Sequence, residues 1–257
     1  MNPLEQTKFL ESVHSKAPLE ENFQILFKDC SIRSINFVDL YKNCMLESQT
    51  TVGGWKIFRR ALRAFNLAKY YDYSLNLGGE RVECVVLRGF STLLTSKVHL
   101  AFDEHYTGKS LHLVDSFAGL SQPNEKDALG FREVLPGVRQ PVYSHGKGHF
   151  ATSLEHVQSV MKAFPDVNFH KGWIPEVLKT LPNVGWAFVH IDVDLYEPTY
   201  SCLEYFVPRL VSGGVIINDD FASPLFPGGG RGWVEYCKKN EMHYVVLDSG
   251  QSVYIKP

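Results

Sequence analysis

Short apolar runs alternate with segments of helical period along most of the chain after about Arg81. The apolar runs are RVECVVL, SLHLVDSF, VNFHKG, WAFVHID and GVIIND, and the helical segments between them are STLLTSKVHLAFDEHY, SLEHVQSVMKAF, PEVLKTL and TYSCLEYFVPRL. This alternation predicts an α/β fold in which a mostly parallel sheet carries helices on both faces. The two strand-like runs of YVVLDSGQSVYIKP predict a C-terminal antiparallel hairpin at the sheet edge. Thr152 and Glu155 form a capping-box pattern, which predicts a helix start there.

The first 80 residues lack this alternation and have a helical pattern. In GWKIFRRALRAFNLAKYYDY, apolar residues recur on one face at spacings of three and four, with arginines and lysines off that face. The apolar face comprises Phe58, Ala61, Leu62, Phe65 and Ala68. Such a helix packs on something larger. We therefore expect an N-terminal helical extension at 1–80 and a larger domain at 81–257.

Two stretches have little apolar periodicity. Residues 118–150 are long for a loop in a compact domain, and loops of that length are usually functional or disordered, so the segment is a candidate lid over a substrate. PGGGRG, residues 227–232, lacks the Gly-Lys-Ser/Thr ending of a phosphate-binding loop. We interpret it as a flexible loop leading into the helix WVEYCKKN.

Composition narrows the class of partner. The formal net charge of -2 gives no sign of a nucleic-acid-binding surface and favours a small-molecule substrate. The five cysteines are scattered and include no C-x-x-C pair, which suits reduced thiols better than a disulfide framework or a zinc site. No run approaches the roughly 20 apolar residues of a membrane span, and the N-terminus lacks the apolar core of a signal peptide. We expect a soluble cytoplasmic protein with no nucleic-acid or membrane partner.

Acidic residues end several predicted strands in succession. Asp115 follows LHLV, Asp192 and Asp194 follow FVHI, and Asp219 and Asp220 follow VIIN. Ligands of open parallel sheets bind beyond the carboxyl ends of the strands, so these side chains are expected in one cleft. For any single acid a structural role is equally good, because Asp is common where strands turn. Like charges crowded together, however, repel and need a cation or a bound cationic ligand to offset them.

The identity of these acids narrows the choice of ligand. Asp192, Asp219 and Asp220 offer oxygen atoms without a Cys or His cluster, which favours Mg²⁺ over zinc. Asp192 and Asp194 would face the same way if the strand geometry persisted through both. Asp115, a single acid at the second strand, is of the kind that accepts hydrogen bonds from ribose hydroxyls.

Several ordered motifs resemble those of a known family over about residues 45–257. HIDVDLYEPTYSCLEYFVPRLVSGGVIINDDF contains an Asp-x-Asp-Leu-Tyr-Glu-x-Thr block, a helix ending near a proline, Gly-Gly, and a strand ending in Asp-Asp-Phe. LVDSFAGL, FHKGWIPEVLKTLP and LDSGQSVYIKP stand at matching separations. The set is similar to the macrocin O-methyltransferase (TylF) family, which methylates sugar hydroxyls of antibiotics. The resemblance implies a Rossmann-like class I methyltransferase that uses S-adenosylmethionine and Mg²⁺, acts on a sugar or glycosylated metabolite, and assembles as a homo-oligomer.

The resemblance also implies roles for individual residues. Asp192, Asp219 and Asp220 match the metal ligands of the family, and Asp194 matches the acid proposed as general base. The positions implied for binding S-adenosylmethionine are Glu83, Gly89, Asp115, Ser116, Phe117, Trp173 and Asp192. The first-strand motif departs from the family pattern Glu-x-Gly-Val-x-x-Gly-Gly, because Val85 and Phe90 replace two glycines. Glycine tolerates positive φ and close approach of a ligand, so a β-branched valine is expected to narrow the cofactor pocket.

The chemistry implied is methyl transfer to a substrate hydroxyl whose proton passes to Asp194. Two alternatives stay open. One is a catechol or other phenol acceptor, whose vicinal oxygens chelate the same metal. The other is a non-catalytic binding protein that keeps the fold without cofactor affinity. A metal-dependent hydrolase is disfavoured, since no arrangement of nucleophile and histidine is visible in the sequence.

Overall fold

The computed structural model of the chain describes residues 26–50 and 56–257. In this part of the chain the strands are β1 (Ser31–Ile32), β2 (Ile35–Asn36), β3 (Glu80–Cys84), β4 (Leu111–Asp115), β5 (Gly130–Leu135), β6 (Val138–Val142), β7 (Asn168–Lys171), β8 (Trp186–Ile191), β9 (Leu210–Asn218), β10 (Val245–Val246) and β11 (Ser252–Ile255). The helices are α1 (Phe37–Glu47), α2 (Lys56–Ser74), α3 (Phe90–Phe102), α4 (Leu154–Val160), α5 (Tyr196–Phe206) and α6 (Pro227–Lys239). Single 3₁₀ segments occupy Glu125–Asp127, Glu176–Thr180 and Val207–Arg209.

Seven of the strands form one sheet in the order β10-β11-β9-β8-β3-β4-β7. The strands from β9 to β7 run parallel to one another, and β11 runs antiparallel to both β9 and β10. The predicted mostly parallel sheet and its C-terminal antiparallel hairpin are confirmed. The chain leaves β3 toward β4 and β7 on one side and returns to β8 and β9 on the other. Ligands of such sheets bind at this reversal of strand order.

Helices cover both faces of the sheet and create two apolar cores. On one face, Phe37 of α1, Tyr71 of α2 and Leu94 of α3 belong to the same core. On the other face, Phe206 of α5 and Trp233 of α6 are fully buried. The strands β4 and β8 are buried along their whole length, as continuous apolar runs in parallel sheets predict.

The helices α1 and α2 thus pack on the same core as the sheet. The predicted helix in GWKIFRRALRAFNLAKYYDY is present as α2. The division of the chain at residue 80 stays a prediction, and residues 1–25 and 51–55 of the predicted helical extension lie outside the described residues.

The predicted start of α4 is wrong by one residue. Ser153, and not Thr152, is the N-cap, and its side-chain oxygen accepts a hydrogen bond from the backbone N–H of His156 at 3.1 Å. Both residues carry a hydroxyl. Ser153 has the extended backbone (φ -101°, ψ 146°) directly before the first helical turn, which places its oxygen beside the free N–H groups of that turn.

The interpretation of PGGGRG as a flexible loop is wrong, because α6 begins at Pro227 and includes the glycines. A Cβ atom on Gly229 would lie 2.7 Å from the Cβ of Asp220, and one on Gly232 would lie 2.7 Å from the carbonyl oxygen of Tyr196. The backbone N–H of Gly229 donates to the carbonyl of Asp194 at 3.0 Å. The glycines therefore allow the first turns of α6 to pack directly against the loops that follow β8 and β9.

Residues 118–150 are more regular than their sequence indicates, since β5 and β6 form an antiparallel hairpin within them. The ends of the segment meet, because Leu120 N–H donates to the His149 carbonyl at 2.8 Å and Gly148 N–H donates to the Leu120 carbonyl at 2.9 Å. Asp127 Oδ1 also accepts from the backbone N–H of Tyr196 at 2.7 Å, which anchors the segment to α5.

All five cysteines are free thiols, as predicted. Within residues 26–50 and 56–257, the helices lack the combination of length and apolar character that crossing a bilayer requires.

Candidate active site

A cavity of about 540 Å³ lies beyond the carboxyl ends of β3, β4, β8 and β9. Small-molecule sites usually occupy roughly 300–1,000 Å³. Arginines of α2 form one wall of the cavity, and Phe150 and Phe226 form part of another. Of the predicted site residues, those lining the cavity are Asp115, Ser116, Trp173, Asp192, Asp194, Asp219 and Asp220.

Three of the predicted cofactor residues lie behind the cavity wall. The carboxylate of Glu83 is buried and accepts hydrogen bonds from the hydroxyls of Ser91 and Thr92, the latter at 2.6 Å. Gly89 is the N-cap of α3 at φ 81°, and a Cβ there would lie 3.3 Å from Val160. Phe117 is buried. Glu83 and Gly89 thus shape the start of α3, and Phe117 belongs to the apolar core.

The turn after β3 carries Val85 at φ 72° and Leu87 at φ 47°, and both side chains line the cavity. Positive φ is a strained conformation for a β-branched residue. Phe90, which replaces the other family glycine, does not have this strain because it lies in the first turn of α3 and packs edge-on against Tyr41 at 5.4 Å between ring centroids. Of the two residues that replace family glycines, only Val85 therefore has a strained backbone.

Asp115 clamps this turn from the end of β4. Its Oδ2 accepts from the backbone N–H of Val86 at 2.8 Å, and its Oδ1 accepts from the backbone N–H of Phe117 at 2.7 Å. Burial raises the pKa of Asp115, and these N–H donors offset part of that rise. A carboxylate has about four acceptor positions, so Asp115 keeps capacity to accept from a ligand.

Four aspartates meet where β8 and β9 end. Ile191 pairs with Asn218 in register, so the residues that follow each strand emerge side by side. Oδ2 of Asp220 accepts from the backbone N–H of Asp194 at 2.8 Å. Strand β8 ends at Ile191. Asp194 adopts φ 62°, so the strand geometry does not continue through Asp192 and Asp194, contrary to the expectation from their spacing. Asp192 and Asp194 share the cavity because the chain turns between them.

His190 and Arg63 complete this cluster, and the sequence reasoning missed both. His190 Nε2 lies 3.2 Å from Asp219 Oδ1, and its Nδ1 lies 3.6 Å from Glu83 Oε1. Arg63 Nε lies 3.3 Å from Asp219 Oδ2, its Nη2 lies 3.8 Å from Asp220 Oδ1, and the guanidinium also donates to the backbone carbonyl of Asp219. His190 stands two residues before Asp192, so the alternation of side chains along a strand could have indicated that both face the cluster. Arg63 is 156 residues from Asp219, and no local pattern relates them.

The charges in the cluster do not balance. Burial, together with Asp219 and Asp220, raises the pKa of Asp192 to about 7. Burial, with Asp220 and Asp192, also raises the pKa of Asp194 well above its usual value. Burial alone would raise the pKa of Asp219 too, but Arg63 and His190 hold it below the usual value. Arg63 and His190 thus pair with Asp219, and Arg63 also with Asp220, whereas no cation among the described residues lies in ion-pair contact with Asp192 or Asp194.

This donor set fits a divalent cation. Among the described residues, His190, Asp192 and Asp219 each offer one ligand atom, and these atoms lie within 4.8 Å of one another. Carboxylate oxygens suit a hard ion such as Mg²⁺, and an added cation would relieve the repulsion among buried acids. Asp220, the third predicted ligand, lies beside this group with Oδ2 occupied by the N–H of Asp194.

A family model described as macrocin-O-methyltransferase (TylF) matches residues 59–247, which is most of the chain. The chain belongs to this family. Among its curated relatives is 8-demethyl-8-(2,3-dimethoxy-alpha-L-rhamnosyl)-tetracenomycin-C 4'-O-methyltransferase of Streptomyces olivaceus, 31% identical over 56% of this chain and 53% of the relative. Demethyldecarbamoylnovobiocin O-methyltransferase of Streptomyces niveus is 29% identical over 57% of this chain and 54% of the relative. The matched region thus spans about half the length of these two relatives.

Solved structures of methyltransferases share the fold. The O-methyltransferase NovP superimposes with a TM-score of 0.61 at 24% identity, over 76% of this chain and 79% of that one. The calicheamicin methyltransferase CalS11 superimposes with a TM-score of 0.61 at 16% identity, over 85% of this chain and 91% of that one. The predicted Rossmann-like class I methyltransferase fold of this macrocin O-methyltransferase family member is confirmed.

Proposed function

We propose that the protein is a Mg²⁺-dependent O-methyltransferase that moves a methyl group from S-adenosylmethionine to a hydroxyl of a sugar or glycosylated natural product. The observation that carries the proposal is the single cavity shared by Asp115, Trp173 and the four aspartates of the acidic cluster. A methyl donor and a hydroxyl acceptor must meet in one space, and this cavity has acceptor atoms and an aromatic side chain at one end and carboxylates at the other. The rhamnosyl group in the named substrate of the tetracenomycin relative supports a glycosylated acceptor.

The end of the cavity beside β4 and β7 suits the cofactor. S-adenosylmethionine supplies a methyl group on a sulfonium sulfur. Asp115 has acceptor capacity for ribose hydroxyls, and Trp173, which is 37% exposed, offers a ring face for adenine. Glu83 positions this end indirectly, through its hydrogen bonds to Ser91 and Thr92 at the start of α3.

The end beside β8 and β9 suits the acceptor. Asp192, Asp219 and Asp220 would hold Mg²⁺, and His190, whose Nε2 lies 3.2 Å from Asp219 Oδ1, would orient the Asp219 carboxylate. Bound there, Mg²⁺ would lower the pKa of a substrate hydroxyl and restrict its orientation.

Asp194 is the proposed general base. Its carboxylate lines the cavity beside the acidic cluster and its raised pKa makes the ionised form a stronger base than an ordinary aspartate. S-adenosylmethionine bound there would supply the methyl group to the substrate oxygen, and the electron pair of its carbon–sulfur bond would stay on sulfur. Asp194 would take the hydroxyl proton, so the products would be a methyl ether and S-adenosylhomocysteine.

Calorimetric titration of S-adenosylmethionine into the protein, with and without Mg²⁺, tests the proposal first. Binding followed by methyl transfer to sugar diols in the presence of Mg²⁺ is the expected result. Transfer to catechols alone would replace the sugar acceptor with a phenol. Absence of cofactor binding in both conditions, by a protein that melts cooperatively, would leave the non-catalytic alternative.

Two further parts of the proposal concern the whole protein. We propose that residues 118–150 cover the bound acceptor and that the protein is a cytoplasmic homo-oligomer. Phe150, at the end of this segment, already lines the cavity. Size-exclusion chromatography with light scattering would test assembly, and hydrogen exchange of residues 118–150 with and without ligands would test closure.

A further inference from the structure

Arg63 reaches the acidic cluster from outside the sheet. It lies on α2, and neighbouring contacts hold that helix over the ends of the strands. Arg59 donates to the carbonyls of Ser249 at 3.2 Å and Ala222 at 3.1 Å. Gln251 Nε2 donates both to the Arg63 carbonyl at 3.3 Å and to Asp219 Oδ1 at 2.7 Å. The guanidinium is therefore held at the cluster by the packing of α2 as well as by charge.

The guanidinium occupies carboxylate oxygens that a metal would need. Its Nε is paired with Asp219 Oδ2 and its Nη2 with Asp220 Oδ1, while Asp219 Oδ1 faces His190 and Gln251. A guanidinium and a divalent ion on the same oxygens repel each other, and the repulsion is strong where water is excluded. A divalent ion on Asp219 and Asp220 would therefore lie close to the guanidinium and compete with it for these oxygens.

We propose that Arg63 is the resident counter-cation of the acidic cluster, and that a divalent ion binds by displacing it from Asp219 and Asp220. The inference rests on the proposed function, because it concerns the same metal site. Before a metal binds, the Arg63 side chain offsets negative charge of the acidic cluster. Because the metal must compete with Arg63, the metal affinity of the site is reduced.

Substitution of Arg63 tests this directly. Arg63→Met keeps much of the length and apolar stem of the side chain and removes its charge. We expect the Arg63→Met protein to bind Mn²⁺ at least about tenfold more tightly than the wild type, measured by calorimetry and by the electron paramagnetic resonance of free Mn²⁺. We also expect it to melt at a lower temperature than the wild type in a chelator, and to recover with Mn²⁺. Neither measurement needs substrate or turnover.

Arg60→Met is the matched control. Arg60 lies on the same helix and lines the same cavity, but its guanidinium carbon lies 6.0 Å from the centre of the Phe90 ring, and none of its ion pairs within the described residues involves the acidic cluster. Its substitution should leave Mn²⁺ affinity within about twofold of the wild type. If Arg63→Met does not fold, Arg63→Lys provides the test. A lysine ammonium cannot span both carboxylates as the two guanidinium nitrogens do, so Mn²⁺ should bind more tightly to it than to the wild type.

The outcomes separate the inference from the proposed function. Wild-type binding of Mn²⁺ that does not tighten in either Arg63 variant would overturn the inference and leave the metal site in place. Absence of Mn²⁺ binding in the wild type and in both Arg63 variants, with S-adenosylhomocysteine still bound, would overturn the metal part of the proposed function and the inference with it.

Discussion

At Val85 the backbone adopts φ 72°, a conformation that glycine reaches easily and valine does not. Val85→Gly removes about 1–2 kcal/mol of strain, and the added unfolded-state entropy costs about 0.4–1 kcal/mol, so the free energy of unfolding should change by less than about 2 kcal/mol. The larger effect should be on the cofactor, since the side chain lines the cavity. We expect S-adenosylhomocysteine to bind several-fold to about tenfold more tightly, measured by calorimetry.

Val85→Asn separates the effect of backbone strain from that of side-chain volume at this position. Asparagine tolerates positive φ better than valine does and keeps a side chain of similar size on the cavity wall. Equal tightening in the asparagine and glycine variants would assign the effect to backbone strain, and tightening in the glycine variant alone would assign it to volume. Wild-type affinity in both variants would show that Val85 does not limit cofactor binding.

Asp194→Asn tests the proposed general base with little change in shape. Asparagine tolerates the φ of 62° at this position, and the variant keeps the backbone N–H that donates to Asp220. Loss of the base should lower kcat by about 10²–10⁴-fold, while S-adenosylhomocysteine and Mn²⁺ still bind within a few-fold of wild-type affinity. A kcat within about threefold of the wild type would remove Asp194 from this role. Parallel loss of ligand binding would instead indicate a structural role for the carboxylate.

At the scale of secondary-structure elements, the start of α6 depends on small residues. Gly229→Ala places a methyl group 2.7 Å from the Cβ of Asp220, so either α6 or the loop after β9 must move. Such overpacking should lower the free energy of unfolding by about 1–3 kcal/mol, measured by urea denaturation. Gly146→Ala is the control, because no neighbouring atom lies within 4 Å of its Cβ position, and it should be near neutral. Equal stability of the two variants would contradict the packing role of Gly229.

The elements that local pattern predicted best are the buried ones. Runs such as WAFVHI are apolar throughout because both faces of β8 are covered. The hairpin of β5 and β6 was missed for the opposite reason. Nearly all its residues are exposed, including Phe131 and Leu135, so no contrast between a buried and a solvated face marks the strands in the sequence. The helical start of α6 was missed because its glycines are required by tertiary packing and not by a turn.

At the scale of the whole molecule, His99 couples the α2 layer to the rest of the core. The buried imidazole on α3 stacks on Tyr106 at 3.6 Å between ring centroids, and its Nδ1 lies 3.1 Å from the hydroxyl of Tyr71 on α2. Burial, together with the charges of Arg81 and Arg33 and against the opposing effect of Asp103, lowers the pKa of His99 to about 4. The folded protein therefore holds His99 neutral at pH values where the unfolded chain takes up a proton.

This difference makes stability depend on pH in a defined direction. The unfolded imidazole titrates near pH 6.5, so the contribution of His99 is fully present above that value and is lost as the pH falls toward about 4. The expected loss is on the order of 1–2 kcal/mol after screening by water. His99→Gln should flatten the dependence of the urea midpoint on pH between 6.5 and 4. His105→Gln, at an exposed histidine, should leave the dependence unchanged, and an unchanged slope in His99→Gln would contradict the assignment.

Local sequence determined the order of the parallel strands and of the helices between them, the parallel character of the sheet, and the placement of Asp115, Asp192 and Asp219 at strand ends. These features follow from hydrophobic period and from residue types at strand ends, which are properties of short windows. Ordered motifs at matching separations also indicated the family.

Tertiary structure alone decided which charges pair in the site, where its backbone is strained and how Asp194 enters the cavity. Arg63 meets Asp219 across 156 residues because α2 packs over the strand ends, and Val85 is strained because the end of β4 clamps the turn that contains it. Asp194 joins the cavity through a turn at positive φ and not through the strand period. Each of these features arises from contacts between segments far apart in the chain, and the energy of such contacts depends on distance and burial, which a local pattern of residues does not specify.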